Sequence, residues 1–476
     1  MNLKSTLESS DNIQYELYLT GLTEDTVRKI SAEQKEPEWM LKHRLKCLEI
    51  IKNQVCNHQK SSEKIIRNLI FPKWWPSLEK LNLDDIVYYA KPHQDNEWYA
   101  HNREDVPEEI KDKFKRLGIP EAEQKYLAGA GGQYDSLNVY HQIQDKRAEK
   151  GIIFEDMAQA VIKYPELVKK HFMTLVPATD HIFAALHGAV WSGGTFVYVP
   201  KGVKLTDPLQ AYFRMNTYAG GQFEHTMIII DDDAEGSYIE WCSAPKFDKA
   251  SLHAGLVEVF VGKHAKMKYS SVENWSTNTY NLNTKRALIE EHGYMERVNG
   301  NLGSCTTMLY PCSVLKWDYS KTDMLGIAVA GQWQHQDTGS KAIHIGKYTS
   351  SNIVAKSISK AGGINTYRGL VKIAKWADYA TNNTQCDALL FDDNSVSNTI
   401  PLIQSDNNTA IVAHEASAGK IDESELFYLM SRWLSKDKAT TMIVNGFFSS
   451  VIKKLPLEYA GELNKLVELE MENSIW

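Results

Sequence analysis

Cysteine is scarce in this sequence of 476 residues, and its six cysteines are scattered along the chain. No C-x-x-C pair occurs, which argues against a zinc knuckle and against a fold built on disulfides, and favours a reducing compartment. No run of 18 apolar residues is present, so no membrane span is expected. The net charge of −7 gives a nucleic-acid partner no general electrostatic support.

Several catalytic and targeting signatures are also missing. The sequence has no G-x-x-x-x-G-K-[ST], so the chain is not itself expected to be a P-loop ATPase, and it has no G-x-S-x-G. Its first residues, MNLKSTLESSDNIQYEL, contain acids and no apolar core, so neither a signal peptide nor a transit peptide is expected. A cytoplasmic location is predicted, with the plastid stroma open for a plastid-encoded chain.

Short β-branched runs dominate the sequence from about residue 188, and each is stopped by Gly, Asn, Asp or Ser. No helical segments alternate with them. The pattern predicts a mainly β core over 188–415, between an N-terminal helical and irregular region, 1–187, and a C-terminal helical region, 416–476. In the latter, Asp422 is placed as an N-cap with Glu425 three residues later.

A weak repeat runs through the β region. Similar blocks begin at Gly236, Ala265 and Gly293, with offsets of 29 and 28 residues. Such a repeat indicates a sandwich or a parallel β-helix. Polar segments such as NNTQ and SDNNT favour the β-helix, in which like residues stack at the turns.

Cys386 is the first candidate site residue. With a coil of 28 or 29 residues, it lies one coil from His414 and Glu415, and adjacent coils are about 4.8 Å apart. A thiolate, an imidazole and a carboxylate suit iron. A protonated His414 would also lower the pKa of the thiol. The alternative is a buried cysteine near a surface histidine.

Cys242 follows Arg214 by the same 28 residues, so a guanidinium could stabilise a thiolate or an anionic sulfur species there. Glu273 and Trp275 fall near the next coil. An ordinary internal polar ladder is the alternative interpretation.

The other cysteines and histidines give weaker signals. Cys47, Cys56, Cys305 and Cys312 are predicted to be structural, and His335, Asp337 and His344 lack a clear third ligand.

Several long motifs resemble one known family: WSGGTFVYVPKGV, HQDTGSKAIH, NTYRGLVKIA, TNNTQCDALL, IVAHEASAGKI and MIVNGFFSSVIKKLP. Together they are similar to the SufB branch of the SufB/SufD family of iron–sulfur cluster assembly proteins. The resemblance covers residues 35–476. It implies a right-handed parallel β-helix between helical ends, and a scaffold on which a cluster is built and passed to apo-proteins.

The resemblance also implies partners and residue roles. A SufC-type ATPase would dock on the C-terminal helices, a SufD-type paralogue or a second copy would lie beside the β-helix, and a SufS/SufE-type donor would supply persulfide sulfur. The cargo would be a transient 4Fe–4S or 2Fe–2S cluster, with reduced flavin as a candidate reductant. The family's cluster site corresponds to Cys386, His414 and Glu415. Its sulfur-accepting cysteine and inner route correspond to Cys242, Arg214, Asn216, Glu273 and Trp275.

Two departures from the family pattern stand out. Ala413 replaces an acid before the histidine, and Glu273 replaces a glutamine on the sulfur route. Two other functions remain open on the sequence alone. A polysaccharide-acting β-helix enzyme would need paired acids in a groove, for which Asp392 and Asp393 are the obvious pair. A cysteine hydrolase built on Cys386 and His414 would need an oxyanion hole.

Overall fold

The structure is a computed structural model that describes residues 15–56, 72–92, 129–143, 145–245, 249–455 and 457–471. Helices lie near both ends of the chain. Their bounds are α1 Glu24–Glu33, α2 Glu38–Cys56, α3 Asp145–Ala148, α4 Met157–Lys163, α5 Pro165–His171, α6 Ile182–Val190, α7 Glu423–Ser431, α8 Lys436–Ile452 and α9 Leu457–Met471. In the described part of the chain, no helix is long and apolar enough to cross a membrane.

Strands fill the region between these helices. Their bounds are β1 Tyr15–Thr20, β2 Val87–Pro92, β3 Gly129–Tyr134, β4 Leu137–Ile143, β5 Ile153–Asp156, β6 Thr195–Val199, β7 Leu209–Arg214, β8 Gly221–Gln222, β9 His225–Ile230, β10 Glu235–Ser243, β11 Ser251–His253, β12 Leu256–Val261, β13 Lys266–Trp275, β14 Thr279–Asn281, β15 Thr284–Ile289, β16 Tyr294–Gly303, β17 Thr306–Leu309, β18 Cys312–Leu315, β19 Lys321–Ala330, β20 His335–His344, β21 Ser350–Ser359, β22 Ile364–Ile373, β23 Thr381–Leu390, β24 Val396–Ser405 and β25 Ile411–Lys420.

The strands wind into a parallel β-solenoid of about eight turns, with helices at both ends, which confirms the predicted mainly β fold with a parallel β-helix core. One wall of the solenoid is a ten-stranded sheet in the order β25-β23-β21-β19-β16-β13-β10-β7-β3-β4. The facing wall begins with β5, β6, β9 and β12, and ends with β20, β22 and β24. Two strands of the ten-stranded sheet, β3 and β4, lie before residue 188.

The coils are unequal in length. Glu235 on β10 pairs with Lys266, whereas Tyr294 on β16 pairs with Lys321. The sequence repeat aligned Gly236 with Ala265, but Gly236 pairs with Met267, two residues further along. The predicted repeat is therefore out of register at this coil. A fixed offset therefore gives the correct neighbour in some coils and misses it by two residues in others.

Each strand of the ten-stranded wall has an inner face toward the lumen and an outer face, and consecutive residues alternate between them. The outer face packs on α8 and α9, where Val272, Phe448 and Leu463 belong to one buried cluster. The inner face carries apolar side chains, such as Leu209 and Met267, and also polar ones. The lumen is therefore apolar in some stretches and polar in others.

The helix starts follow the sequence signals. Pro165 occupies the first turn of α5, where its missing N–H costs no helical hydrogen bond. Asp422 caps α7, where its side chain accepts a hydrogen bond from the backbone N–H of Ser424. These caps fix where the terminal helices begin beside the solenoid.

Candidate functional site

Cys386 lies on the inner face of β23, and its Sγ is 3.5 Å from Nε2 of His414 on β25. The strand register pairs Cys386 with Ala416, so His414 reaches the thiol diagonally, from two residues before the aligned position. The predicted coil of 28 or 29 residues is thus too short here. The thiol and the imidazole nevertheless meet, because both residues share one face of the sheet.

Glu415 lies on the opposite face of β25. It pairs with Gln385, and both side chains are exposed. Because consecutive residues of a strand point to opposite sides, the Glu415 carboxylate faces away from the Cys386 thiol. Ala413 has the same orientation as Glu415, so an acid at that position would not face the thiol either. The structure brings His414 to Cys386 and does not bring Glu415 there.

The Cys386 thiol is protonated at neutral pH. Burial raises its pKa to about 12, although the nearby Tyr367 hydroxyl acts in the opposite direction. Burial also lowers the pKa of His414, so the imidazole is neutral at pH 7. A protonated His414, which would lower the thiol pKa, is therefore not the main form of the imidazole in the free protein at pH 7. The neutral imidazole can instead act as a metal ligand or accept the thiol proton.

Cys242 lies on the inner face of β10, fully buried. It pairs with Phe213 on β7, whereas Arg214 pairs with Ser243 and donates to its hydroxyl from Nη1 over 3.1 Å. Arg214 and Cys242 therefore point to opposite faces of the sheet. The register therefore does not align Arg214 with the Cys242 thiol, because a coil of 29 residues here shifts the pairing by one residue.

The lumen around Cys242 is rich in acids. Glu273 on β13 is directly aligned with Cys242 on the next coil. Burial raises the pKa of the Cys242 thiol well above its usual value, and Glu240, Glu224 and Glu273 raise it further. The thiol is therefore neutral unless a base takes its proton away.

Lys285 on β15 pairs with two of these acids. Its Nζ is 2.9 Å from Glu240 Oε1, 2.7 Å from Glu273 Oε1 and 2.9 Å from Ser271 Oγ. All these groups are buried, and the two carboxylates keep the pKa of Lys285 above its usual value, although burial opposes them. Sequence reasoning missed Lys285. The signal was available, since TKRALI places a lysine at an inward position of an alternating strand.

Replacing Lys285 by Met leaves two buried carboxylates without their cation. We expect Lys285→Met to lower the free energy of unfolding by about 3–5 kcal/mol, measured by urea denaturation. Lys268→Met is the matched control, because Lys268 is an exposed lysine on β13. Equal stability of the two variants would contradict the buried ion-pair network.

Trp275 and Asn216 complete the predicted inner route. Trp275 Nε1 lies 3.4 Å from Glu273 Oε2, so this side chain belongs to the luminal network. Asn216 follows β7, is buried, and donates its backbone N–H to Asp135 Oδ1 over 2.7 Å. The structure therefore places Glu273 and Trp275 beside Cys242 in the lumen.

Polar groups continue from the Cys242 region toward Cys386. Ser271 donates to Asn299 Oδ1 over 3.0 Å, and Asn299 then lines a cavity of about 40 Å³. Tyr367 and Cys386 line the same cavity. Five strand spacings separate β10 from β23, which is about 24 Å. The two thiols thus lie along one partly polar lumen, too far apart to touch.

The two other histidines singled out in the sequence, His335 and His344, have polar neighbours. His344 Nδ1 and Nε2 contact the Thr349 and Ser351 hydroxyls at 2.8 and 2.9 Å. Asp337 is held by Nε of Arg368 at 2.8 Å, and His335 Nε2 lies 4.0 Å from it. Within the described ranges, these three predicted residues do not form a group of metal ligands.

The remaining described cysteines are buried or half-buried. Cys312 and Cys47 are buried, and Cys305 is half-buried, with its Sγ 3.2 Å from the Thr279 carbonyl. The side chain of Cys56 lies outside the described residues. Burial raises the thiol pKa of Cys305 to about 11 and that of Cys47 to about 12.

The acid pair Asp392–Asp393 lies in a turn. Asp392 accepts hydrogen bonds from the backbone N–H groups of Ala361, Asn394 and Ser395. Asp393 contacts Lys420 at the surface. A carboxylate occupied by three backbone donors is a turn residue rather than a general acid.

Two family descriptions match this chain. Residues 213–447 match "SUF system FeS cluster assembly, SufBD core domain", and residues 99–211 match "SufBD protein N-terminal region". The chain belongs to the SufBD family. Both descriptions cover SufB and SufD together, so the resemblance is confirmed at the level of this shared family.

Relatives match the SufBD chain over nearly its full length. It is 49% identical over 457 residues to an "Iron-sulfur cluster assembly SufBD family protein" of Staphylococcus haemolyticus (strain JCSC1435), covering 96% of this chain and 94% of the relative. A protein of the same description from Staphylococcus aureus (strain MRSA252) is 50% identical over 455 residues, with the same coverage. The chain is thus an iron–sulfur cluster assembly protein of the SufBD family.

Proposed function

We propose that this SufBD chain is a SufB-type scaffold, on which an iron–sulfur cluster is built at Cys386 and His414 and then transferred to apo-proteins. The observation that carries the proposal is the contact between the Cys386 thiol and the His414 imidazole, at the end of a lumen that also contains Cys242. A thiolate and a neutral imidazole are both ligands that iron accepts. The iron and sulfide are cargo that this site assembles.

Ferrous iron would displace the proton from Cys386, because a thiol must be deprotonated to bind a metal. The neutral imidazole of His414 supplies the second protein ligand from 3.5 Å away. Sulfide takes the remaining positions as the cluster forms. A site with two protein ligands holds a cluster less firmly than four thiolates, which suits a cluster that must leave.

Sulfur would enter at Cys242 as a persulfide. Because the two thiols are about 24 Å apart, Cys386 cannot attack that persulfide directly. We propose that reduction releases the sulfur: the persulfide takes up two electrons and two protons, the S–S bond breaks, and the Cys242 thiol and hydrogen sulfide form. Reduced flavin in the complex is the proposed electron source. The hydrogen sulfide then passes along the lumen to the cavity at Cys386.

Glu273 does not obstruct this route. Its carboxylate is paired with Lys285 at 2.7 Å, so this cation, which it shares with Glu240, offsets part of the charge that the departure from a glutamine adds. A neutral hydrogen sulfide molecule is also unaffected by carboxylates. The route is therefore compatible with an acid at this position.

The last coil of the solenoid offers a surface for a SufD-type paralogue or a second copy. Strands β24 and β25 end their sheets, so each leaves one edge without a partner strand among the described residues. Ile400, Leu402, Ile403 and Ile411 on these strands are exposed. An apolar open edge is a pairing surface in a solenoid. A partner there would lie beside the exposed carboxylate of Glu415.

The C-terminal helices offer a surface for a SufC-type ATPase. Helix α7 has no buried residue, and Phe427, Tyr428 and Trp433 are exposed on and just after it. In contrast, α8 and α9 pack on the solenoid, so removing residues 420–476 would also uncover the core. Helix α7 is therefore the part available for docking.

Substitutions on α7 separate docking from folding. We expect Phe427→Ala with Trp433→Ala to raise the Kd for a SufC-type ATPase by at least about 30-fold, with an unchanged circular dichroism spectrum. Trp376→Ala is the control, since this exposed tryptophan lies in a turn of the solenoid. An unchanged Kd in the double variant would move the docking surface elsewhere.

Anaerobic incubation with ferrous iron and sulfide tests the scaffold proposal. A cluster on the full chain gives a brown chromophore with sulfur-to-iron charge-transfer absorbance. The folded chain would then transfer this absorbance to an apo-ferredoxin. A folded chain that stays colourless while hydrolysing thioester or peptide substrates would favour the cysteine hydrolase instead.

A further inference from the structure

Three potential metal ligands converge in the lumen beside β10. Glu224 precedes β9, Cys242 lies on β10 and His253 ends β11. One ligand atom from each residue lies within 4.8 Å of the other two, and all three side chains are buried. Over the described ranges, no other group of three His, Cys, Asp or Glu side chains has this spacing.

The orientation of His253 is fixed by its neighbours. Asn281 donates from Nδ2 to Glu273 Oε2 over 2.5 Å, which turns its carbonyl oxygen toward His253. That oxygen lies 2.8 Å from His253 Nδ1, so Nδ1 carries a proton and donates. Nε2 therefore faces Glu224, whose Oε1 is 2.5 Å away. A metal-binding histidine typically donates its other N–H to such an acceptor.

Glu224 has a free acceptor in this cluster. Its Oε2 is buried and has no hydrogen-bond partner among the described residues, and the residue as a whole is only 3% exposed. A buried carboxylate oxygen without a donor is costly, and a bound cation would satisfy it. This unpaired oxygen is independent of the spacing of the three residues.

We propose that Glu224, Cys242 and His253 form a binding site for a borderline divalent cation of the Zn²⁺ or Fe²⁺ class. The set of one sulfur, one nitrogen and one oxygen ligand suits these ions, and three protein ligands leave a fourth position open. Cation binding releases the thiol proton and the proton shared between His253 and Glu224. The two released positive charges balance the two that the cation brings.

This site has a consequence for sulfur chemistry. A Cys242 thiolate that is bound to a cation cannot at the same time form a persulfide, so the two uses of the thiol exclude each other. The site is separate from the Cys386–His414 pair, five strands away. It therefore stands whether or not a cluster forms at Cys386.

Co²⁺ serves as the probe, because it replaces Zn²⁺ and a thiolate ligand gives a near-ultraviolet charge-transfer band. The titration uses the full chain with Cys386→Ser, without oxygen, so that the other site contributes no thiol. We expect one equivalent of Co²⁺ to produce the band and Zn²⁺ to bleach it. His253→Gln and Glu224→Gln should each raise the Kd at least about tenfold.

Adding Cys242→Ser to this background should remove the band, whereas Cys312→Ser, a buried thiol elsewhere, should leave it intact. Circular dichroism confirms that each variant is folded. A band that survives Cys242→Ser, or no band in the folded parent at excess Co²⁺, overturns the proposal. Persulfide formation at Cys242, measured by mass spectrometry without metal, tests the proposed sulfur entry separately.

Discussion

Cys386→Ala is expected to abolish cluster formation, even when ferrous iron and free sulfide are supplied. The substitution removes the thiolate and leaves His414 as the single inward-facing ligand of the pair. One neutral imidazole does not hold iron and sulfide together. We expect the charge-transfer absorbance of the reconstituted protein to fall by at least about tenfold.

Substitutions of the neighbouring residues should reduce the chromophore to different extents. His414→Ala should keep a weaker chromophore, and Glu415→Ala on the isolated chain should match the parent, because its carboxylate faces the opposite side of β25. Cys47→Ala is the control, since Cys47 is buried in an apolar cluster with helix α6, and Cys386 does not belong to this cluster. A normal cluster in Cys386→Ala would refute the assignment of the site.

Cys242→Ala is expected to affect cluster formation differently with the two sources of sulfur, a persulfide donor and free sulfide. With a persulfide donor, cluster formation should fall by at least about tenfold, because the accepting thiol is gone. With free sulfide, most of the chromophore should remain, because sulfide reaches Cys386 without Cys242. Time courses of absorbance with each source measure the two cases.

Two further substitutions, Arg214→Met and Lys285→Met, test which charged side chain influences the Cys242 thiol. Arg214 points away from Cys242, so its loss should not alter the reactivity of the thiol directly. Lys285 pairs with both luminal acids, so its loss should impair the persulfide-dependent reaction more. Equal failure of Cys242→Ala with free sulfide would mean that Cys242 has a structural or a ligand role in the cluster itself.

The class of fold could be predicted from the sequence because strand runs and their stops are local signals. Short β-branched runs ending in Gly, Asn or Asp mark each wall of the solenoid, and Asp422 and Pro165 mark helix starts. The motifs around Cys386 and His414, with the others quoted above, likewise led to the SufBD family, which the matches confirm.

The exact neighbours of each thiol could not be predicted, because they depend on the length of every coil. A shift of one residue sends a side chain to the opposite face, as for Arg214, and a shift of two moves it along the strand, as for His414. Lys285, Glu224 and His253 come from three different segments. Only the three-dimensional register places them beside Cys242.

Nitrogen coupling to the cluster tests the central claim most directly. The chain is labelled with ¹⁵N-histidine, a cluster is built on it without oxygen, and the reduced cluster is examined by pulsed electron paramagnetic resonance. The account predicts a ¹⁵N coupling of a directly bound imidazole, which disappears in His414→Gln. A cluster without this coupling in the parent, or with the same coupling in His414→Gln, would contradict it.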